Sequence, residues 1–126
     1  MKQRRVLVID DDAGIRQTLH IALAKAGYEV VDARDGDEAM RLWGAQGTDL
    51  VITDLHMPGK NGLEIIMEFR ARSPATPIIA MSNGGRTEQL GLLGDAKLLG
   101  AVRTVAKPFE LDEMLAAVNE ELRRSK

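Results

Sequence analysis

Cysteine is absent from this chain, and histidine occurs only as His20 and His56. The first absence excludes a disulfide framework and any thiolate metal site, and it agrees with a reducing compartment. Two unclustered histidines are a poor ligand set for zinc. No apolar run approaches the roughly 20 residues that span a bilayer. Met1 to Arg5 leads straight into a strand-like run, with no signal-peptide core. An excess of one charge is missing too. Seventeen basic side chains stand against nineteen acidic ones, a net charge of −2, so no electrostatic footprint argues for nucleic acid. These absences together point to a cytoplasmic protein that contacts neither membrane nor DNA directly.

The chain has 126 residues, 44% of them hydrophobic and 29% charged, a composition that fits one globular domain from residue 1 to 126. Its apolar runs are short, β-branched and unalternating, as in strands buried on both faces, and segments of helical period separate them. That pattern predicts an α/β fold. The first helix is expected to start at the N-cap Asp12, carry Ile15, Leu19, Ala22, Leu23 and Ala26 on one face, and stop at Gly27. Tyr28 to Ala33 reads as a strand, Asp37 to Trp43 as a helix, and Gly44 to Gly47 as a turn. A third strand ends at Asp54, a helix runs from about Leu63 to Arg72 with Ile65, Ile66 and Phe69 inward, and Pro77 to Ser82 makes a fourth strand. Val102 to Ala106 is a fifth, and Glu110 to Arg124 a last amphipathic helix through Leu111, Met114, Leu115, Val118 and Leu122. Met40, Met67, Met81 and Met114 read as core filler. Five strands thus alternate with five helices. Right-handed crossovers make a doubly wound, flavodoxin-like parallel sheet of order 2-1-3-4-5 the simplest topology.

The strands end in chemically distinct residues: Asp10-Asp11-Asp12, Asp54, Ser82 and Lys107. In an open parallel sheet the carboxyl ends of the strands line one crevice, where ligands bind. Clustered carboxylates repel, by roughly 4 kcal/mol per pair at 4 Å and an effective dielectric near 20, so a cation belongs among them. Oxygen ligands without His or Cys suit Mg²⁺. On this reading Asp10 and Asp11 hold the metal, Asp54 is both ligand and nucleophile, and Lys107 offsets charge on the transferred oxygens while Ser82 donates a hydrogen bond to one of them. Asp12 is read as a helix cap rather than a ligand.

Four stretches carry a further signal: Val6 to Asp12, Asp49 to Gly62, Ala80-Met81-Ser82 and Val105-Ala106-Lys107-Pro108-Phe109. With them the whole chain resembles the receiver domain of two-component response regulators. The resemblance implies that Asp54 is the phosphorylation site, Asp10 and Asp11 the acidic pair, and the backbone carbonyl of His56 a third protein ligand for Mg²⁺. It implies Ser82 as the switch hydroxyl and Lys107 as the site lysine. The expected donor is a sensor histidine kinase or phosphotransfer protein, and the expected response a rearranged face of fourth helix, fifth strand and fifth helix that controls a protein target or an output domain.

Three departures stand out. Thr104 occupies the place where the family usually carries a rotating aromatic. The interval from Ser82 to Gly100 is about three residues longer than usual and holds Gly84, Gly85, Gly91, Gly94 and Gly100, five of the chain's twelve glycines. Since each helix-interior Gly costs about 1 kcal/mol against Ala, the fourth helix is expected to be short or partly unwound before phosphorylation. Asn83 stands where a small residue is common. Two competing functions remain in view. One is a small phosphohydrolase with Asp10 as nucleophile, since Asp10-x-Asp12 resembles the haloacid-dehalogenase motif order, although Gly14 and the short chain fit it badly. The other is a receiver-like module that no longer accepts phosphate, against which the complete set of site residues argues.

Overall fold

The computed structural model describes residues 3–57, 62–82 and 103–124. Its elements are β1 (Arg5–Ile9), α1 (Ala13–Lys25), β2 (Glu29–Ala33), α2 (Gly36–Gln46), β3 (Leu50–Asp54), α3 (Gly62–Arg72), β4 (Ile78–Ser82), β5 (Arg103–Ala106) and α4 (Leu111–Arg124). The five strands form one sheet in the order β2-β1-β3-β4-β5, and every pair is parallel. Expected and observed order agree. The register sets Ile9 opposite Thr53, so Asp10 and Asp54 are the next residues along at the same edge.

Strand side chains alternate between two cores, as the two-residue period requires. Leu7, Ile9, Val51, Ile78 and Ala80 pack with Ile65, Ile66 and Phe69 of α3 and Ala39 of α2. Val6, Val8, Leu50, Ile52, Ile79, Met81 and Val105 pack with Leu19 and Leu23 of α1 and Met114, Ala117, Val118 and Leu122 of α4. Helices therefore cover both faces, and a strand between them has no solvent side on which polar residues could alternate.

Helix ends follow local chemistry. Asp12 caps α1 by accepting from the amides of Gly14 (2.8 Å) and Ile15 (3.2 Å), and Gly27 closes it at φ 100°. Asp35 caps α2 by accepting from Glu38 N–H at 2.8 Å, while the Glu38 carboxylate reaches back to Arg34 N–H, a capping-box exchange displaced by one residue. The helix runs past the expected stop at Trp43, continues through Gly44 and ends at the C-cap Gly47. Trp43 explains the extension, because its ring lies 5.0 Å from Phe69 and packing holds the turn that Gly44 weakens.

Other expectations are corrected. Met67 is 54% exposed rather than core filler, since Ile65, Ile66 and Phe69 already occupy the inward face of α3. Leu111 lies at the first turn of α4 and is exposed, and Ala26, the C-cap of α1, is exposed as well. Four helices stand among the described residues. The expected fourth of five, with its glycines and Asn83, falls outside them, as does Val102.

Candidate functional site

The ends of four strands build the site. Asp10 follows β1, its amide donating to Ala33 O at 3.1 Å, which extends the β1–β2 ladder by one residue. Asp54 is the last residue of β3, and His56 N–H donates to its Oδ1 at 3.1 Å. Ser82 ends β4, and its carbonyl accepts from Lys107 N–H at 2.7 Å. That bond carries the β4–β5 pairing one step past Ala106 and sets the lysine at the crevice. The Lys107–Pro108 peptide is cis.

The Lys107 ammonium bridges two carboxylates, 2.9 Å from Asp10 Oδ2 and 3.1 Å from Asp54 Oδ2. Carboxylate oxygens of Asp10, Asp11 and Asp54 lie within 4.8 Å of one another. Asp10 and Asp54 are buried and Asp11 is exposed, so the cluster opens toward solvent on one side. Asp10 Oδ1 also accepts from Asp12 N–H at 2.9 Å. Burial pushes the Asp10 carboxyl above its ordinary 3.8, with the Asp54 charge adding to the rise and the bonds from Lys107 and Asp12 opposing it. For Lys107 burial acts to lower the pKa, yet the bond to Asp10 and the charges of Asp54 and Asp10 outweigh it, leaving the ammonium above 10.5. The asymmetry is physical: the lysine faces two carboxylates, whereas Asp10 shares one ammonium and has lost its water.

Three carboxylates against one ammonium leave negative charge to be neutralised, and the donors are hard oxygens. Such a set fits Mg²⁺, which takes one or two carboxylates and keeps several waters. Asp10, Asp11, Asp54, Ser82 and Lys107 thus lie at one edge of the sheet, while Asp12 serves as a cap and Thr104 sits half-buried on β5 opposite Ala80.

Sequence reasoning passed over two residues. Gly62 begins α3 against the site strand; a Cβ there would lie 2.3 Å from Asp54 O and 2.7 Å from Leu55 Cα. The glycine is demanded by close approach, not by an unusual φ. Arg16 reaches back from α1 to donate to the Asp10 carbonyl at 2.7 Å. A helix-face pattern labels it only as polar.

The chain matches the family model of the response regulator receiver domain over residues 6–119. It belongs to that family. Sporulation initiation phosphotransferase F of Bacillus subtilis is 33% identical over 97% of this chain and 96% of its own length. The response regulator MprA of Mycolicibacterium vanbaalenii is 36% identical over 96% of this chain but only 51% of its own length, so the chain spans about half of that relative. Among solved structures, the Vibrio cholerae chemotaxis protein CheY4 superposes with a TM-score of 0.86 at 31% identity, covering 94% of this chain and 98% of the other. Receiver domains are the phosphoacceptor modules of two-component signalling, and this chain is one of them. The phosphohydrolase alternative is set aside by that membership. No helix among the described residues is long and apolar enough to cross a membrane.

Proposed function

We propose that Asp54 accepts a phosphoryl group from a sensor histidine kinase or phosphotransfer protein, with Asp10, Asp11, Asp54 and the backbone carbonyl of His56 holding Mg²⁺. An Asp54 carboxylate oxygen attacks phosphorus, the bond from phosphorus to the donor breaks, and the donor leaves with the electron pair. A phosphohistidine donor recovers a neutral imidazole in this way. When bound, Mg²⁺ supplies charge neutralisation for the transferred oxygens. Lys107, within 3.1 Å of the acceptor carboxylate, offsets the same charge. Ser82 donates its hydroxyl to a phosphoryl oxygen.

The observation that carries this reading is the Lys107 ammonium shared between Asp10 and Asp54, with Asp11 completing the acidic cluster. Phosphorylation brings a charge of about −1.5 to −2 into the site and takes one Asp54 oxygen into a new bond. The response then spreads to the face made by the segment after Ser82, β5 and α4. The partner is a protein target or an output domain. The chain acts as one cytoplasmic domain, with at most slow self-dephosphorylation as enzymatic activity.

Incubation with a small phosphodonor and Mg²⁺ followed by intact mass tests the assignment. One added phosphoryl group that Asp54→Ala abolishes is expected. A group retained in Asp54→Ala overturns it.

A further inference from the structure

Asp10 and Asp11 project from a three-residue turn between β1 and α1, and a turn of that length holds carboxylates in place only if its backbone is tied down. The Asp10 amide is satisfied by Ala33 O. Its carbonyl, on a fully buried residue, points past the end of the ladder and would be left without a partner inside the protein. Arg16 supplies that partner. Its backbone amide is bonded to Asp12 O at 3.1 Å in the first turn of α1, and its side chain folds back so that Nη1 donates to Asp10 O at 2.7 Å. The two bonds close a loop from β1 through the acidic turn into the helix. Asp32 on β2 faces the same guanidinium, with Oδ2 at 3.9 Å from Arg16 Nε, while its Oδ1 meets His20 Nδ1 at 3.1 Å. The Arg16 side chain is only 20% exposed, so these contacts are largely withdrawn from solvent.

We infer that Arg16 is a positioning residue for the acidic pair: by strapping the Asp10 carbonyl to α1, with Asp32 orienting its guanidinium, it fixes the Asp10–Asp11 carboxylates in the spacing a divalent cation needs. The inference rests on the metal reading above and adds to it a residue that touches neither metal nor phosphate. Groups that orient metal ligands from behind typically account for 10- to 100-fold in affinity. A lysine at position 16 could reach the carbonyl or Asp32 but lacks the planar fork that meets both.

Calorimetric titration of MgCl₂ into wild type, Arg16→Ala, Arg16→Lys and Asp32→Ala tests this, together with the Mg²⁺ dependence of phosphorylation by a small phosphodonor. Arg16→Ala is expected to weaken Mg²⁺ binding about 10-fold and to shift the Mg²⁺ requirement by the same factor, with the maximal rate restored at saturating Mg²⁺. Arg16→Lys and Asp32→Ala should fall between. Arg16→Ala and Arg16→Lys titrations that overlay wild type overturn the inference while leaving the metal site standing. A wild type that binds no Mg²⁺ overturns the metal reading itself. Should Arg16→Ala fail to fold, the ordering of Arg16→Lys and Asp32→Ala against wild type still decides, because a merely structural role would lower stability without moving the Mg²⁺ dependence.

Discussion

Burial and charge pull Asp10 in opposite directions, and this can be measured. Its folded pKa lies above the ordinary 3.8 because burial disfavours the carboxylate more than Lys107 and the Asp12 amide favour it. A raised pKa means that the folded state prefers the protonated form. That contribution is fully present below about pH 3.8 and is lost as pH rises through the folded value. At neutral pH without Mg²⁺ the ionised Asp10 therefore works against folding. Asp10→Asn is expected to melt higher than wild type in Mg²⁺-free neutral buffer, with the gap closing as the pH falls. A lower melting point at neutral pH contradicts the argument. Lys107 has the opposite consequence: the fold prefers its charged form, so its contribution holds below pH 10.5 and fades as pH rises through the higher folded value. Gly62 is constrained by space alone. The Cβ of Gly62→Ala would press on the backbone of Asp54 and Leu55, which cannot yield as a flexible side chain could. Overpacking of this kind costs about 1–3 kcal/mol. Urea denaturation should show that loss, and phosphorylation of Asp54 should slow as the acceptor strand shifts.

At the scale of elements, α2 offers a paired test of its two glycines. Gly44 lies inside the helix and a Cβ there meets nothing within 4 Å, whereas Gly47 ends the helix at φ 73°. Gly44→Ala is expected to stabilise the protein by about 0.5–1 kcal/mol, and Gly47→Ala to destabilise it by on the order of 1–3 kcal/mol. Denaturation midpoints of opposite sign check both. This helix also shows where sequence reading ends. The strands were legible because burial on both faces leaves unbroken apolar runs, and α1 was legible because Asp12 and Gly27 mark both of its ends. The end of α2 was not, since Gly44 and Gly47 look alike in sequence and only the packing of Trp43 on Phe69 separates a tolerated glycine from a terminating one. Met67 was misread for a related reason: a methionine within an apolar helix says nothing about its face until Ile65, Ile66 and Phe69 have filled the inward one. The strand-end residues of the site could be found because parallel topology brings strand ends together. Gly62 and Arg16 could not, because close backbone approach and a bond to a carbonyl leave no periodicity behind.

For the molecule as a whole, the crevice concentrates charge that the fold does not neutralise by itself. Among the described residues, Asp10, Asp11 and Asp54 cluster together, and one ammonium, that of Lys107, bridges Asp10 and Asp54. The sheet order enforces this, because β1 and β3 are neighbours and their ends cannot separate without breaking the β1–β3 ladder. A ligand that binds the folded state stabilises it by RT ln(1 + [L]/Kd), about 2.7 kcal/mol at a hundredfold excess over Kd. For a domain of this length that corresponds to a rise in Tm on the order of 10 °C. Melting curves at increasing MgCl₂ and constant ionic strength should show such a rise, saturating as the site fills. NaCl alone should not reproduce it, since screening of partly buried charges is weak. Asp11→Asn should remove most of the shift without lowering the Mg²⁺-free melting point, because that side chain is exposed and its loss creates no cavity. A full Mg²⁺-dependent rise in both Asp11→Asn and Asp54→Asn would mean that the cation is held away from this crevice.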